Sequence, residues 1–397
     1  MDELQFTPGD PQEELPAKRV QKKKKRRWTA LLLAVIAGVL VILLAVFWKS
    51  PAFDAVRRSI TYRAAKTDAS GCTELYRYSS DRSNCFADLD DSLLVASNTT
   101  VSLLAQNGSA IFTQSVKFAQ AAVAQCGKTA VAYDIGGSEI LVFNNKGLVS
   151  SFTSEGKQAI LSVTVNDAGY LAVTANKSGY KAAVYVYNSQ QKLVFEFDSA
   201  DRFVMTAAVS QDGKYVAAAT MGQSDGSFLT NTVIYRLTST TPDAQYGATG
   251  GIVYQMGLLD GHFCEVAEDR LDLFSSAGKL ESSYSYDGAY LRGCSLDGNG
   301  FAALLLDRYK SGGQGKLVTV DGRGQVIGSL DISDEVLHIS AAGNYVAVLY
   351  ADRLAIYDKE MNQRAALSDI SSAKYALVRS DGSALLTGSS VASLYLP

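Results

Sequence analysis

Histidine is nearly missing from this chain: 397 residues hold two, His262 and His338. That excludes zinc centres built on paired imidazoles, which need spacings such as His-x-x-x-His on one helix face. Glu335 and His338 have the Glu-x-x-His spacing, but on a strand, positions three apart point to opposite faces. Tryptophan does not occur after Trp48, and proline numbers six, three of them in the first 16 residues. Cysteine numbers five (Cys72, Cys85, Cys126, Cys264 and Cys294), and an odd count argues against a complete disulfide framework. No Asp-x-Asp-x-Asp calcium loop is present. The glycine-rich run at 311–315 lacks the Gly-Lys-Ser ending of a phosphate loop.

Against this background one stretch stands out. Between Trp28 and Trp48 lie nineteen residues without charge or proline. At about 1.5 Å per residue they span roughly 28 Å as a helix, close to the hydrocarbon thickness of a bilayer. The two tryptophans sit where amphipathic rings favour the headgroup zones. Residues 28–48 are therefore expected to form a transmembrane helix, with Trp28 and Trp48 as membrane anchors. Residues 18–27 carry eight basic residues and no acid, which places the amino terminus in the cytoplasm and the remainder outside. The same run attracts anionic inner-leaflet lipid, so membrane lipid is an expected partner. The apolar core is longer than that of a cleaved signal peptide.

The chain then divides into a disordered basic cytoplasmic tail at 1–27, the span at 28–48, a juxtamembrane stalk at 49–72 and a large outer region at 73–397. The stalk reads as a short helix, with Phe53, Val56 and Ile60 at helical spacing. Beyond the tail the chain is net acidic, which is not a surface for gripping nucleic acid through its phosphates. Tyrosine is abundant at 21 residues, and aromatic and β-branched residues favour strands.

The outer region repeats. An apolar strand, a turn, a strand of the type Tyr-Val-Ala-Val, a second turn and a strand of the type Val-Tyr-Val-Tyr recur. The first turn is marked at Gly127, Gly169, Gly213, Gly261, Gly298, Gly343 and Gly382, at gaps of 37 to 48 residues. An equivalent turn without glycine falls at Asp90-Asp91. Four strands at a period near 40–45 residues mark β-propeller blades; a pair of sandwiches is the other all-β solution. Eight units are counted, with seven as the alternative if one is irregular. The last unit supplies only three strands before residue 397. A missing fourth strand leaves an unpaired edge, so residues 73–78 are expected to close the ring by pairing with residues 391–396.

The pattern resembles the WD40-like and quinoprotein-like β-propeller superfamily. Together with the single span it is similar to uncharacterised single-pass, membrane-anchored propeller proteins of Gram-positive bacteria. The Trp-Asp ending of WD40 blades is replaced by Tyr187-Asn188, Tyr235-Arg236 and Tyr357-Asp358. Quinoproteins of this superfamily stack a tryptophan in the site. None exists here in the outer region, so no cofactor is expected.

Chemistry is hard to find. Gly222-Gln223-Ser224-Asp225-Gly226 matches a nucleophile pattern but joins two strands, whereas that mechanism needs a strand-to-helix elbow. Asp88, Asp90 and Asp91 cluster, as do Glu265, Glu268, Asp269 and Asp272; turns explain both groups, since acids are favoured there. Counting five residues back from the turn glycines aligns His338 with Thr164, Ala208 and Gly293. These four are expected to line the central channel, with His338 as a candidate ligand-binding group. Cys72 and Cys85 flank the closing strand and are candidates for a disulfide staple. No catalytic or metal-binding residue is assigned. The expected function is a non-catalytic binding or scaffolding module at the cell envelope, engaging an envelope protein or glycan. A polysaccharide hydrolase or lyase, with acids and His338 converging on one channel mouth, and a ligand sensor are the alternatives.

Overall fold

A computed structural model describes residues 31–36, 38–39, 51–63, 65–89, 91–224, 226–247, 251–370 and 372–397. Residues 31–36 and 38–39 are helical. No helix among the described residues is long and apolar enough to cross a membrane. Trp28, Trp48 and most of the expected span lie outside the described residues. Two units are distinguished, residues 1–59 and 60–397. A 3-10 turn at Pro51–Phe53 leads into α1 (Asp54–Thr61), most of which falls in the first, and Arg57 contacts the buried Asp54 one turn back.

The second unit is an eight-bladed β-propeller of four-stranded antiparallel sheets. Blade 1 is β2 (Cys85–Asp88), β3 (Ser92–Ala96), β4 (Thr100–Ala105) and β5 (Ala110–Ser115). Blade 2 is β6 (Ala121–Cys126), β7 (Thr129–Asp134), β8 (Glu139–Asn144) and β9 (Gly147–Thr153). Blade 3 is β10 (Ile160–Val165), β11 (Leu171–Ala175), β12 (Ala182–Tyr187) and β13 (Leu193–Ser199). Blade 4 is β14 (Phe203–Val209), β15 (Tyr215–Ser224), β16 (Ser227–Arg236) and the short β17 (Ala244–Tyr246). Blade 5 is β18 (Val253–Leu259), β19 (His262–Ala267), β20 (Arg270–Phe274) and β21 (Leu280–Ser285). Blade 6 is β22 (Tyr290–Gly298), β23 (Phe301–Asp307), β24 (Gly315–Asp321) and β25 (Val326–Ile332). Blade 7 is β26 (Val336–Ala342), β27 (Tyr345–Tyr350), β28 (Arg353–Asp358) and β29 (Gln363–Ser368). Blade 8 is β30 (Tyr375–Val378), β31 (Ala384–Thr387), β32 (Val391–Tyr395) and, as its outermost strand, β1 (Cys72–Arg77).

The residue pattern accounts for this layering. Second strands such as β23 and β27 are buried along their whole length and apolar but for the terminal Asp307 of β23, because neighbouring blades cover both faces. Outermost strands such as β9 and β21 alternate between half-buried and exposed positions, the signature of a strand covered on one side. The Asp260-Gly261 turn places both residues at positive φ, +49° and +80°, as a two-residue hairpin demands.

The core is distributed. A cluster of buried side chains fills each gap between consecutive blades, and a further one joins blade 8 to blade 1. In that closing gap Leu385, Ala392 and Leu394 of blade 8 meet Leu93, Val95 and Leu104 of blade 1, with the fully buried Tyr76 among them. Burying one such leucine contributes about 1.5–3 kcal/mol. The closure itself is an antiparallel pairing of β1 with β32, from Cys72 opposite Tyr395 to Arg77 opposite Val391. The amino-terminal strand thus covers the edge the carboxy-terminal blade would expose.

The expected disulfide does not form: all five cysteines are free thiols. Cys72 packs into the gap between blades 7 and 8, whereas Cys85 packs into the gap between blades 1 and 2 and donates its Sγ proton to the Ala96 carbonyl at 3.2 Å. The two side chains serve different cores, so nearness in sequence does not bring the sulfurs together.

Candidate functional site

The innermost strands β2, β6, β10, β14, β18, β22, β26 and β30 surround the axis in parallel, so their first residues encircle one mouth and their last residues the other. Strands β10, β14, β18, β22 and β26 share a device. Each skips one residue of register against its neighbour, at Leu161, Met205, Tyr254, Arg292 and Leu337. A bulge frees one side chain from the alternation and bends the strand. Five consecutive blades thus repeat it near the mouth where their inner strands begin. Tyr254 and Leu337 are exposed there, 55% and 45%. Phe203, Tyr290 and Tyr375, the first residues of β14, β22 and β30, add exposed rings. Tyr78, Phe86, Tyr375 and His338 continue the aromatic lining as successive ring contacts 5.2–5.8 Å between centroids. The β15–β16 hairpin rises on the same side and carries Phe228, 65% exposed.

The glycine-counted quartet divides between two levels. His338 and Gly293 each follow a bulge directly, pairing with Leu349 and Leu305. Thr164 and Ala208 lie three residues beyond theirs, pairing with Ala172 and Ala217. The counting fails because turns after the inner strands differ in length, from two residues after β26 to five after β14. The true counterparts of His338 are Ser162, Thr206 and Gln255. Nor do His338 and Thr164 point freely to the axis. The Nδ1 of His338 lies 3.1 Å from the Ala376 carbonyl of blade 8, an acceptor that requires the proton on Nδ1. Burial lowers its pKa, opposed by that hydrogen bond. Thr164 donates its hydroxyl to the Ala207 carbonyl of blade 4 at 2.6 Å, and Ser295 accepts from the Ala341 amide of blade 7 at 3.0 Å. An inner strand turns its backbone edge to the axis and its side chains to the adjoining blades, so these groups stitch one blade to the next.

The other mouth is polar. Cys126 of blade 2 donates its thiol to Asp167 of blade 3 at 3.1 Å. Burial pushes Asp297 of blade 6 up to about 6; the Asp167 carboxylate adds to this and the Ser295 hydroxyl opposes it. The Asp297 side chain is nonetheless solvent-accessible, as expected of a group lining a wet channel enclosed by protein. Among the described residues no three His, Cys, Asp or Glu side chains are gathered to hold a metal ion.

Two acidic clusters differ from the surface turns expected of them. The Asp88 side chain is largely covered and clamped by Arg379 of blade 8, Nε to Oδ2 at 2.6 Å and Nη2 to Oδ1 at 2.8 Å. Arg379 also donates to Tyr62 Oη at 2.9 Å. The chain therefore enters the ring beside the β30–β31 turn, opposite the aromatic mouth. Glu265 and Asp272 are buried between blades 4 and 5, while Glu268 and Asp269 remain in the β19–β20 turn. In each pair the carboxylate is drawn inward because a partner blade supplies donors. The Gly222–Gly226 run is a hairpin, with Ser224 opposite Ser227, and Asp225 and Asp90 lie outside the described residues.

Comparisons with known proteins agree on architecture. The C-terminal WD40 domain of Sif2 superposes with a TM-score of 0.58 at 14% identity, covering 82% of this chain and 98% of that one. BamB from Moraxella catarrhalis superposes with a TM-score of 0.53 at 13% identity, covering 82% and 100%. At such identity the likeness establishes the propeller fold alone. No curated protein matches the sequence. A family model does match, over residues 64–382, from the segment leading into β1 to the β30–β31 turn: this chain belongs to the family of unknown function DUF5711.

Proposed function

We propose that this chain is a non-catalytic binding module of the cell envelope that docks its partner on the aromatic mouth of the ring. The bulged, exposed Tyr254 and Leu337, flanked by Phe203, Tyr290 and Tyr375, carry this reading. Apolar rings left uncovered beside a channel mouth are characteristic of recognition surfaces, and repeated bulges mark places where a fold re-aims side chains. Residues 28–48 tether the module to the membrane, with residues 1–27 inside and the propeller outside; the uncharged run and the basic stretch before it support that orientation. The hydrolase reading lacks an assembled site. His338 lies toward the aromatic mouth, Asp167 and Asp297 at the opposite one, and His338 is committed to a backbone carbonyl.

The test is recovery of crosslinked partners by the full-length chain in intact membranes, wild type against the double variant Tyr254→Ser, Leu337→Ser. A reproducible envelope protein or glycan with wild type, lost with the variant, is expected. The same partners with both, or none with wild type, overturns the docking surface. Release of the chain by alkaline washing overturns the tether.

A further inference from the structure

Glu265 of β19 and Asp272 of β20 are directly opposite in register and face blade 4 with 0% and 1% exposure. Their surroundings are unequal. Asp272 is fully supplied with donors: the Tyr246 hydroxyl at 2.5 Å and Arg270 Nε at 2.7 Å on Oδ2, the Ser283 hydroxyl at 2.5 Å on Oδ1. Glu265 receives one, the Thr232 hydroxyl of β16 at 2.6 Å on Oε2, and its Oε1 is buried with no hydrogen-bond partner. Arg270 is the nearby cation, and it is held by Asp272 and by Asp269 at 3.1 Å. An ionised Glu265 is then a buried charge beside a like charge, with an oxygen unserved. Two adjacent carboxyls in such a site do not both ionise at the ordinary pH. Asp272 holds the donors and Glu265 the unserved oxygen, so the geometry places the proton on Glu265. Burial raises the pKa of Glu265 and Asp272 adds to it, while the Thr232 hydrogen bond and Arg270 oppose. Tyr246 of blade 4, the other titratable group beside this pair, is raised by burial and stays neutral.

We propose that Glu265 keeps its proton at neutral pH and latches blade 5 to blade 4 through Thr232, and that losing the proton loosens this one seam of the ring. The sign follows from linkage. The folded state holds the proton more tightly than the unfolded chain, so stability falls as pH rises from the ordinary carboxylate range through the raised folded value. The glutamine variant is an isostere of the neutral acid and removes that dependence.

Two measurements on the full-length chain decide it. The first is thermal unfolding against pH, with amide exchange of β16 and β19 followed beside β27 as an internal reference. In wild type, exchange in β16 and β19 is expected to outpace β27 progressively as pH rises, by tenfold or more after correction for intrinsic rates. In Glu265→Gln that divergence is lost and the melting point on the alkaline side equals or exceeds wild type. A melting point lowered equally at every pH shows a charged, purely structural glutamate and overturns the latch. The second needs no variant: infrared spectra of wild type with 13C-labelled glutamate. A protonated carboxylic band at neutral pH that vanishes on alkaline titration supports the proposal, and its absence at neutral pH overturns it.

Discussion

The seam closing the ring and the seam between blades 4 and 5 both bury carboxylates, and they handle the charge in opposite ways. Between blades 8 and 1, Asp88 meets a guanidinium that grips both of its oxygens. Between blades 4 and 5, Glu265 meets a like charge and a single hydroxyl. The first brings together residues 291 apart in the chain, and an ion pair of fixed geometry adds register to closure there. The second joins consecutive blades on one stretch of chain, where stiffness is less needed. Buried ion pairs are poor net stabilisers but costly to break, which suits a seam that must not slip.

The comparison breaks most visibly at Arg379. Arg379→Met removes the guanidinium that grips both oxygens of the largely buried Asp88 side chain and is expected to cost about 3–5 kcal/mol in denaturant titrations at neutral pH. A loss under about 1 kcal/mol would mean that the closing seam rests on its apolar cluster alone. Asp272→Asn sharpens the other side. It strips Arg270 of its closest anion and weakens the Tyr246 and Ser283 bonds, at an expected cost of about 1–3 kcal/mol. It also removes the like charge beside Glu265, so the pH dependence of the seam should shrink in the same variant. His338 carries a smaller effect of opposite sign. Its pKa is lowered in the fold, so the neutral ring contributes stability above the ordinary histidine range, lost as pH falls from that range through the lowered folded value. His338→Asn should flatten that acid limb and cost about 1 kcal/mol for the hydrogen bond to Ala376. The mouth variants Tyr254→Ser and Leu337→Ser should change stability by no more than about 0.5 kcal/mol. They separate recognition from folding: partner recovery is expected to fall while the melting point stays.

Propeller architecture was readable because its period is written in turns. Gly169, Gly213, Gly261 and Gly343 all adopt positive φ, which a hairpin needs and glycine supplies without strain, and the second strands are mostly apolar. The closing role of β1 was readable too, since a three-strand final unit must find a fourth. The candidate site was less so. Leu161, Met205, Tyr254, Arg292 and Leu337 have no common residue type, and a bulge is a property of pairing between strands. The available signal was an inner strand one residue longer than its partner requires. Turn lengths after the inner strands blurred it, and the same blurring placed Thr164 and Ala208 at the level of His338.

Composition and local pattern, then, determined how many blades form, where the hairpins turn and which end must complete the last sheet, because those depend on short-range sterics and on apolar side chains leaving water. Which acids are buried, which cysteines share a core and which side chains meet at a mouth were decided only when eight sheets came together. Those outcomes depend on donors and faces contributed by other blades, and nothing in the local order of residues around Asp88 or Glu265 records them.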